Sequence, residues 1–131
     1  MVRWPAEQSI PIIADADRIG QVVNNYLRNA LKYSAADRPV EVGFSTEGAM
    51  TRVYIKDQGP GLTPVEQQSV WERFYRVKGI QVQYGTGEGL GLGLYLCRII
   101  IQWHGGQVGV ESKKGEGSTF WFTLPMATED C

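Results

Sequence analysis

The stretch "DADRIGQVVNNYLRNALKYS", Asp15 to Ser34, decides the fold of this chain of 131 residues. Ile19, Val22, Val23, Tyr26, Leu27, Ala30 and Leu31 recur at i, i+3, i+4 and i+7, which lays one apolar stripe along an α-helix. Asp15 or Asp17 serves as its N-cap, and the helix runs to about Tyr33. At about 100° per residue, Asn25, Asn29 and Lys32 form a second stripe that borders the apolar one near Val22. Asparagine is a poor helix-interior residue because its amide competes for backbone hydrogen bonds, so Asn24, Asn25 and Asn29 weaken the helix that carries them. Spacing alone leaves two accounts open: a solvated face, or two amides one turn apart that hold a metal ion or its waters.

Outward from this helix, the chain reads as one domain over residues 1–131, without an interdomain linker or internal repeat. A short extended piece, Ile10 to Ile13, precedes it. "PVEVGFS" and "TRVYIKD" alternate apolar and polar residues around "TEGAM", the pattern of an antiparallel hairpin. In "TPVEQQSVWERF", Thr63 followed by Glu66 is a capping box that starts a short helix. "LGLYLCRIIIQWHGG" reads as a helix closed by Gly105 or Gly106, and "QVGVES" with "STFWFTLP" as a second hairpin around "KKGEG". These elements predict a two-layer α/β sandwich: a mixed, mostly antiparallel sheet with helices on one face.

Composition narrows the function. Thirteen basic against fourteen acidic residues leave a net charge of −1, with no basic excess to suggest nucleic acid as a partner. No apolar run approaches the ~20 residues of a membrane span. Cys97 and Cys131 have no metal-ligand or CxxC spacing; Cys97 reads as a small buried thiol in an apolar helix, in keeping with a reducing compartment. The N-terminal "MVRWPAEQS" lacks the apolar segment of a signal peptide and reads as the place where the chain is cut from a longer one.

Two further features call for a ligand. The strand phase that puts Val53 and Ile55 on the core face also puts Asp57 there, where a carboxylate needs a hydrogen-bond donor. It is either the residue that starts the turn "DQGPG" or a ligand contact, with Gly59 and Gly61 letting the backbone pass close to a flat molecule. In "GTGEGLGLGL", Gly85 to Leu94, glycine stands at every second position and leads into a helix. Neither GxxxxGK[ST] nor GxGxxG fits this stretch, yet bare backbone at a helix start still exposes N–H groups to an anion, and phosphate is the natural guest. A flexible loop accounts for the glycines almost as well.

Taken in order, "NNYLRNALKYS", "DQGPG", "WERFYRV", "GLGLGL", "HGG" and "GEGSTFWFTLP" resemble the catalytic, ATP-binding domain of two-component sensor histidine kinases over nearly the whole chain. That branch shares the Bergerat ATP-binding fold with gyrase, heat-shock chaperone and mismatch-repair ATPases. The resemblance implies ATP and Mg2+ as cofactors. It makes Asn29 the Mg2+ ligand, with Asn25 beside it as the catalytic-site amide and Lys32 and Tyr33 near phosphates and adenine. It gives Asp57 the adenine amino group as the missing donor, with Gly59 and Gly61 alongside. It places Phe74 at the base of a lid reaching about Glu88, and Gly89, Leu90, Gly91, Leu92, Gly93 and Leu94 against the triphosphate. Thr119 matches a position near the adenine pocket.

The resemblance also implies what is missing. The phosphoacceptor histidine of the family lies on a helical dimerisation domain, and His104, the only histidine here, reads as structural at a helix end. The implied partners are that domain and a response regulator. The fragment is expected to be monomeric and cytoplasmic, and the parent a membrane-anchored homodimer. ATP-hydrolysing relatives carry a glutamate base where Asn25 stands, so slow hydrolysis is expected. Two other readings share the fold: an anti-sigma-factor type serine kinase, and a non-catalytic nucleotide-sensing module.

Overall fold

A computed structural model of the chain describes residues 2–3, 15–33, 38–72 and 93–126. The extended piece at Ile10 to Ile13, Phe74, the lid, Gly89 to Leu92 and Cys131 lie outside the described residues. In chain order the elements are β1 (Val2–Arg3), α1 (Ala16–Tyr33), β2 (Val40–Glu47), β3 (Met50–Asp57), α2 (Pro64–Ser69), α3 (Gly93–Trp103), β4 (Val108–Ser112) and β5 (Ser118–Pro125).

The sheet runs in the order β1-β2-β3-β5-β4. β2, β3, β5 and β4 pair antiparallel, while β1 adds a parallel edge through Val2 opposite Val40. The architecture is the α/β sandwich predicted from the sequence. α1 and α3 pack on each other and onto this sheet, α1 against β3 and α3 against β4 and β5.

Local chemistry explains where the helices start and stop. Asp15 is the cap of α1, its Oδ1 accepting from the amides of Asp17 at 3.0 Å and Arg18 at 3.2 Å. In the capping box of α2, Thr63 Oγ1 accepts from the Glu66 amide and Glu66 Oε1 accepts from the Thr63 amide. α3 ends where Gly105 turns to φ 80° and the Gly106 amide donates to the Ile101 carbonyl at 3.0 Å. His104 joins two helix ends. Its Nε2 accepts from the Asp15 amide at 3.1 Å, which leaves Nδ1 to donate to the Ile100 carbonyl at 2.8 Å.

Tyr26 stands at the centre of the core. Its ring lies edge-on to Phe122 and Phe120, with centroids 5.5 and 6.0 Å away, and 6.3 Å from Trp71. Its hydroxyl donates to the Trp121 carbonyl at 3.1 Å, fastening α1 to β5. Of the predicted helix stripe, Val22, Tyr26 and Ala30 are buried and Ile19, Val23 and Leu27 pack against them. Leu31 departs from the prediction: it is 50% exposed, because it lies about 110° around the helix from the middle of the stripe.

Tyr26→Phe removes one hydrogen bond and keeps the ring, so it is expected to lower unfolding free energy by about 1 kcal/mol. Tyr26→Ala empties the centre of the aromatic cluster and is expected to lower it by about 3–5 kcal/mol. Urea denaturation followed by tryptophan fluorescence measures both.

Candidate functional site

β3 delivers Asp57 to the end of the core face, in phase with Val53 and the fully buried Ile55, and only 2% of the residue is exposed. Its Oδ1 accepts from the amides of Gly59 at 2.9 Å and Ser118 at 3.2 Å. The contact to Gly59 is an Asx turn, so the turn account and the ligand account of this residue are compatible. Both bonds end on the same oxygen, and among the described residues Oδ2 is left for an incoming donor. Burial raises the carboxyl pKa above its ordinary value, and the two amides pull it only part of the way back.

The wall beside Asp57 is built from two glycine turns laid against each other. Gly61 has φ 74°, and a Cβ there would collide with the Lys113 carbonyl. Gly117 has φ 83°, and a Cβ there would collide with the Asp57 carbonyl. No L side chain fits either place. Ser112 ties the turns together. Its hydroxyl donates to the Gly117 carbonyl at 2.8 Å and accepts from the Leu62 amide at 2.7 Å. Its one proton being spent, the Ser118 hydroxyl 2.7 Å away is the donor to Ser112. The Gly115 amide donates to the Pro60 carbonyl at 2.6 Å, and Gln67 Nε2 donates to the carbonyls of Leu62 and Ser112.

Asn25, Asn29 and Lys32 are half-buried along α1, on the sheet face that also carries Asp57, while Asn24 is exposed. Tyr33 ends the helix. Gly93, the first residue of α3, meets this stripe: a Cβ built on it would lie 3.9 Å from Asn25 Cγ. Leu94 packs against the core next to it. Trp71 is buried at the other end of the segment 73–92, edge-on to Phe120 at 5.8 Å. A groove of about 450 Å³ also runs along α1, lined by Asp17, Gly20, Gln21, Asn24, Asn25 and Arg28 among others. It holds Asn25 but not Asp57, so it is not the pocket of the buried carboxylate.

One predicted site residue is displaced by a single register step. Thr119 lies out of phase with Phe120, Phe122 and Leu124, opposite Lys56 and Glu111 on the outer face of the sheet. Ser118 is the residue that faces the core beside Asp57, with which it pairs. Counting back by two from Phe120 identifies it from sequence. Ser112 and Gly117 gave no comparable signal.

The raised carboxyl of Asp57 makes stability depend on pH. The native state holds this proton more tightly than the unfolded chain. Stability therefore falls as pH rises from the ordinary carboxyl value through the raised one, and is level above it. Asp57→Asn keeps an oxygen for both amides and removes the buried charge. The variant is expected to be at least as stable as the wild type near pH 7, with an advantage that shrinks as pH is lowered toward about 4. Paired urea titrations across that range read the difference.

Comparison with known proteins agrees with this geometry. Residues 14–128 match the family model described as histidine kinase-, DNA gyrase B-, and HSP90-like ATPase. The sensor protein SrrB of Staphylococcus aureus is 37% identical over 111 residues, which is 85% of this chain and 19% of that protein. The chain thus spans about a fifth of the length of the curated relatives it matches. Among solved structures, full-length ShkA in complex with AMPPNP superposes with a TM-score of 0.80 at 31% identity, over 99% of this chain and 26% of that one. The mycobacterial sensor histidine kinase MprB superposes at 0.79 and 28% identity, over 95% of this chain and 84% of that one. A buried carboxylate beside a glycine turn, an amide-bearing helix and a match along nearly the whole sequence lead to one assignment: the chain belongs to the histidine kinase-, DNA gyrase B- and HSP90-like ATPase family, as an ATP-binding domain of the sensor histidine kinase type.

Proposed function

We propose that this domain binds Mg-ATP and donates the γ-phosphate to a histidine on a separate helical dimerisation domain of the same kinase. The observation that carries the reading is Asp57: a carboxylate buried at a strand end, with one oxygen satisfied by two backbone amides and the other, among the described residues, left for a ligand N–H. The adenine amino group supplies such a donor. Gly59 and Gly61 bring the backbone alongside the flat base, and the Ser112–Ser118 hydroxyl pair holds that wall in place.

The residues present suit a magnesium ion held jointly with phosphate. Among the described residues no group of three His, Cys, Asp or Glu could hold a metal by itself. Carboxamide oxygens at Asn29 and Asn25 are hard, neutral ligands of the kind that complete an Mg2+ shell shared with phosphate oxygens and water. Bound there, the ion would neutralise charge on the phosphates. Asn29 is the proposed ligand with Asn25 beside it as the catalytic-site amide, and the resemblance assigns Lys32 and Tyr33 to the neighbourhood of the phosphates and adenine. Gly93 and Leu94 open α3 and are proposed to offer amides to the triphosphate; Gly89, Leu90, Gly91, Leu92 and Phe74 are assigned to the nucleotide by resemblance to the family.

Catalysis in this reading is positioning and charge neutralisation, and the nucleophile comes from another domain. The 131 residues act as one catalytic unit of a longer protein. The whole kinase is proposed to be a membrane-anchored homodimer that passes its phosphoryl group to a response regulator, with this domain in the cytoplasm.

Calorimetric titration with ATP and ADP, with and without Mg2+, tests the reading. Asp57→Asn loses a hydrogen bond to a charged acceptor, expected to weaken binding by about 1.5–3 kcal/mol, roughly ten- to hundredfold in Kd. Absence of adenine-nucleotide binding by the wild type would overturn the proposal. An amide at Asn25 takes no proton from water, so hydrolysis by the domain alone is expected well below the ~1 s⁻¹ at the low end of ordinary enzymes. A phosphate-release assay checks this. Supplied with a helical phosphoacceptor domain, the protein should form an acid-labile phosphohistidine; an acid-stable phosphoserine would move the assignment to a serine kinase.

A further inference from the structure

We infer that Gln67 is a positioning residue for the base-binding wall: its side-chain amide clamps the Leu62 carbonyl to the Ser112 carbonyl and so holds the loop 58–62 where a ligand N–H can reach Asp57. The inference rests on the nucleotide reading above and adds to it a residue from the helix behind the wall.

The geometry begins with how α2 starts. Thr63 caps the helix, and the Gln67 backbone amide donates to the Thr63 carbonyl at 2.9 Å, which closes the first turn. Side chains on a helix tilt toward its N-terminus, so that of Gln67 reaches back past the cap. Its Nε2 donates to the Leu62 carbonyl at 3.1 Å and to the Ser112 carbonyl at 2.9 Å. Both partners only accept, so the end of the amide that meets them is the nitrogen, and both of its protons are spent. Beyond the other end of the helix, Val70 and Trp71 are buried in the core. α2 is therefore a short strut between the core and the glycine wall.

The clamp closes a ring. The Leu62 amide donates to Ser112 Oγ at 2.7 Å, so Leu62 and Ser112 are joined twice, once directly and once through Gln67. Two runs of contacts lead from this ring to the carboxylate. From Ser112 the hydroxyl reaches the Gly117 carbonyl, and the next residue, Ser118, brings its amide to Asp57 Oδ1. From Leu62 the chain runs back through Gly61, which lies against the Lys113 carbonyl, to Gly59, whose amide meets the same oxygen. Gln67 thus acts through the wall and not on the ligand. Methionine at this position keeps the length of the side chain and removes both donors, leaving one tie between loop and hairpin. Glutamate keeps the shape as well, but turns a carboxylate oxygen on two carbonyls and pushes them apart.

The test compares wild type with Gln67→Met and Gln67→Glu, whose helix propensities are close to that of glutamine. In nucleotide-free protein, hydrogen exchange is followed at the Leu62 and Ser118 amides and, as a reference, at Ile55 within β3. Exchange at Leu62 and Ser118 is expected to quicken about three- to tenfold in Gln67→Met, and further in Gln67→Glu, while Ile55 keeps its wild-type rate. Unchanged exchange at Leu62 in Gln67→Met would overturn the inference. So would equal quickening at Ile55, which would mean a general loss of stability. In calorimetry, Gln67→Met is expected to weaken ADP binding about three- to tenfold. Placed on Asp57→Asn, the same substitution should cost less, because the contact that it positions is already weakened. An equal cost in the two backgrounds would show that Gln67 does not act through Asp57, and the inference would fail. If wild type binds no nucleotide, the parent reading falls, and exchange at Leu62 and Ser118 still decides whether Gln67 holds the wall.

Discussion

One buried carboxylate organises this domain. Asp57 sits at the end of a strand whose preceding core-facing residues are Val53 and Ile55, and a charge in that place must be met by hydrogen bonds. Meeting it shapes two loops. The Gly59 amide is drawn back over Asp57 in an Asx turn, and the β4–β5 hairpin brings the Ser118 amide in from the other side. That closeness is available only because Gly61 and Gly117 have no Cβ where the turns touch. Ser112 then closes the assembly with a hydroxyl used both as donor and as acceptor.

The helix layer separates holding from presenting. α1 is fastened by Tyr26, which offers both a ring to the aromatic cluster and a hydroxyl to β5. With the helix anchored so firmly on one side, the asparagines on its neighbouring stripe need contribute nothing to stability and can sit half-buried at a cost to helix propensity. α3 approaches that stripe at a glycine and then at a small thiol, which lets its backbone come close to Asn25. The amide-bearing helix and the buried carboxylate thus share a face of the sheet while being held by different contacts.

Much of this was legible in the sequence because it is periodic. The 3.6-residue repeat of α1, the alternation of β2, β3 and β5 and the Thr63 capping box each correspond to an element of the structure. Strand phase alone put Asp57 in the core. What escaped has physical reasons. A two-residue parallel edge such as β1 is too short to carry a period. Thr119 was matched by motif, where the phase of Phe120 and Phe122 pointed to Ser118. The Ser112 bridge joins residues 50 positions apart, and the contact of the Cys97 thiol with the Val22 carbonyl joins residues 75 positions apart, so no local pattern announces either.

The same desolvation that makes Asp57 unfavourable for the folded chain makes it useful to a ligand. Burial raises its carboxyl, so the ionised form carries a penalty that two amides leave partly unmet. A ligand N–H placed on Oδ2 favours the ionised form and returns part of that penalty as binding energy. In the proposed complex the exchange is selective, because a base offering an acceptor at that point would face a carboxylate it could not neutralise. Rejection of the wrong base then rests on an unpaired buried charge, which costs far more than the loss of one contact. The domain is in this sense less stable than a neutral acceptor at position 57 would make it, and in the proposed complex that difference is what a ligand N–H draws on.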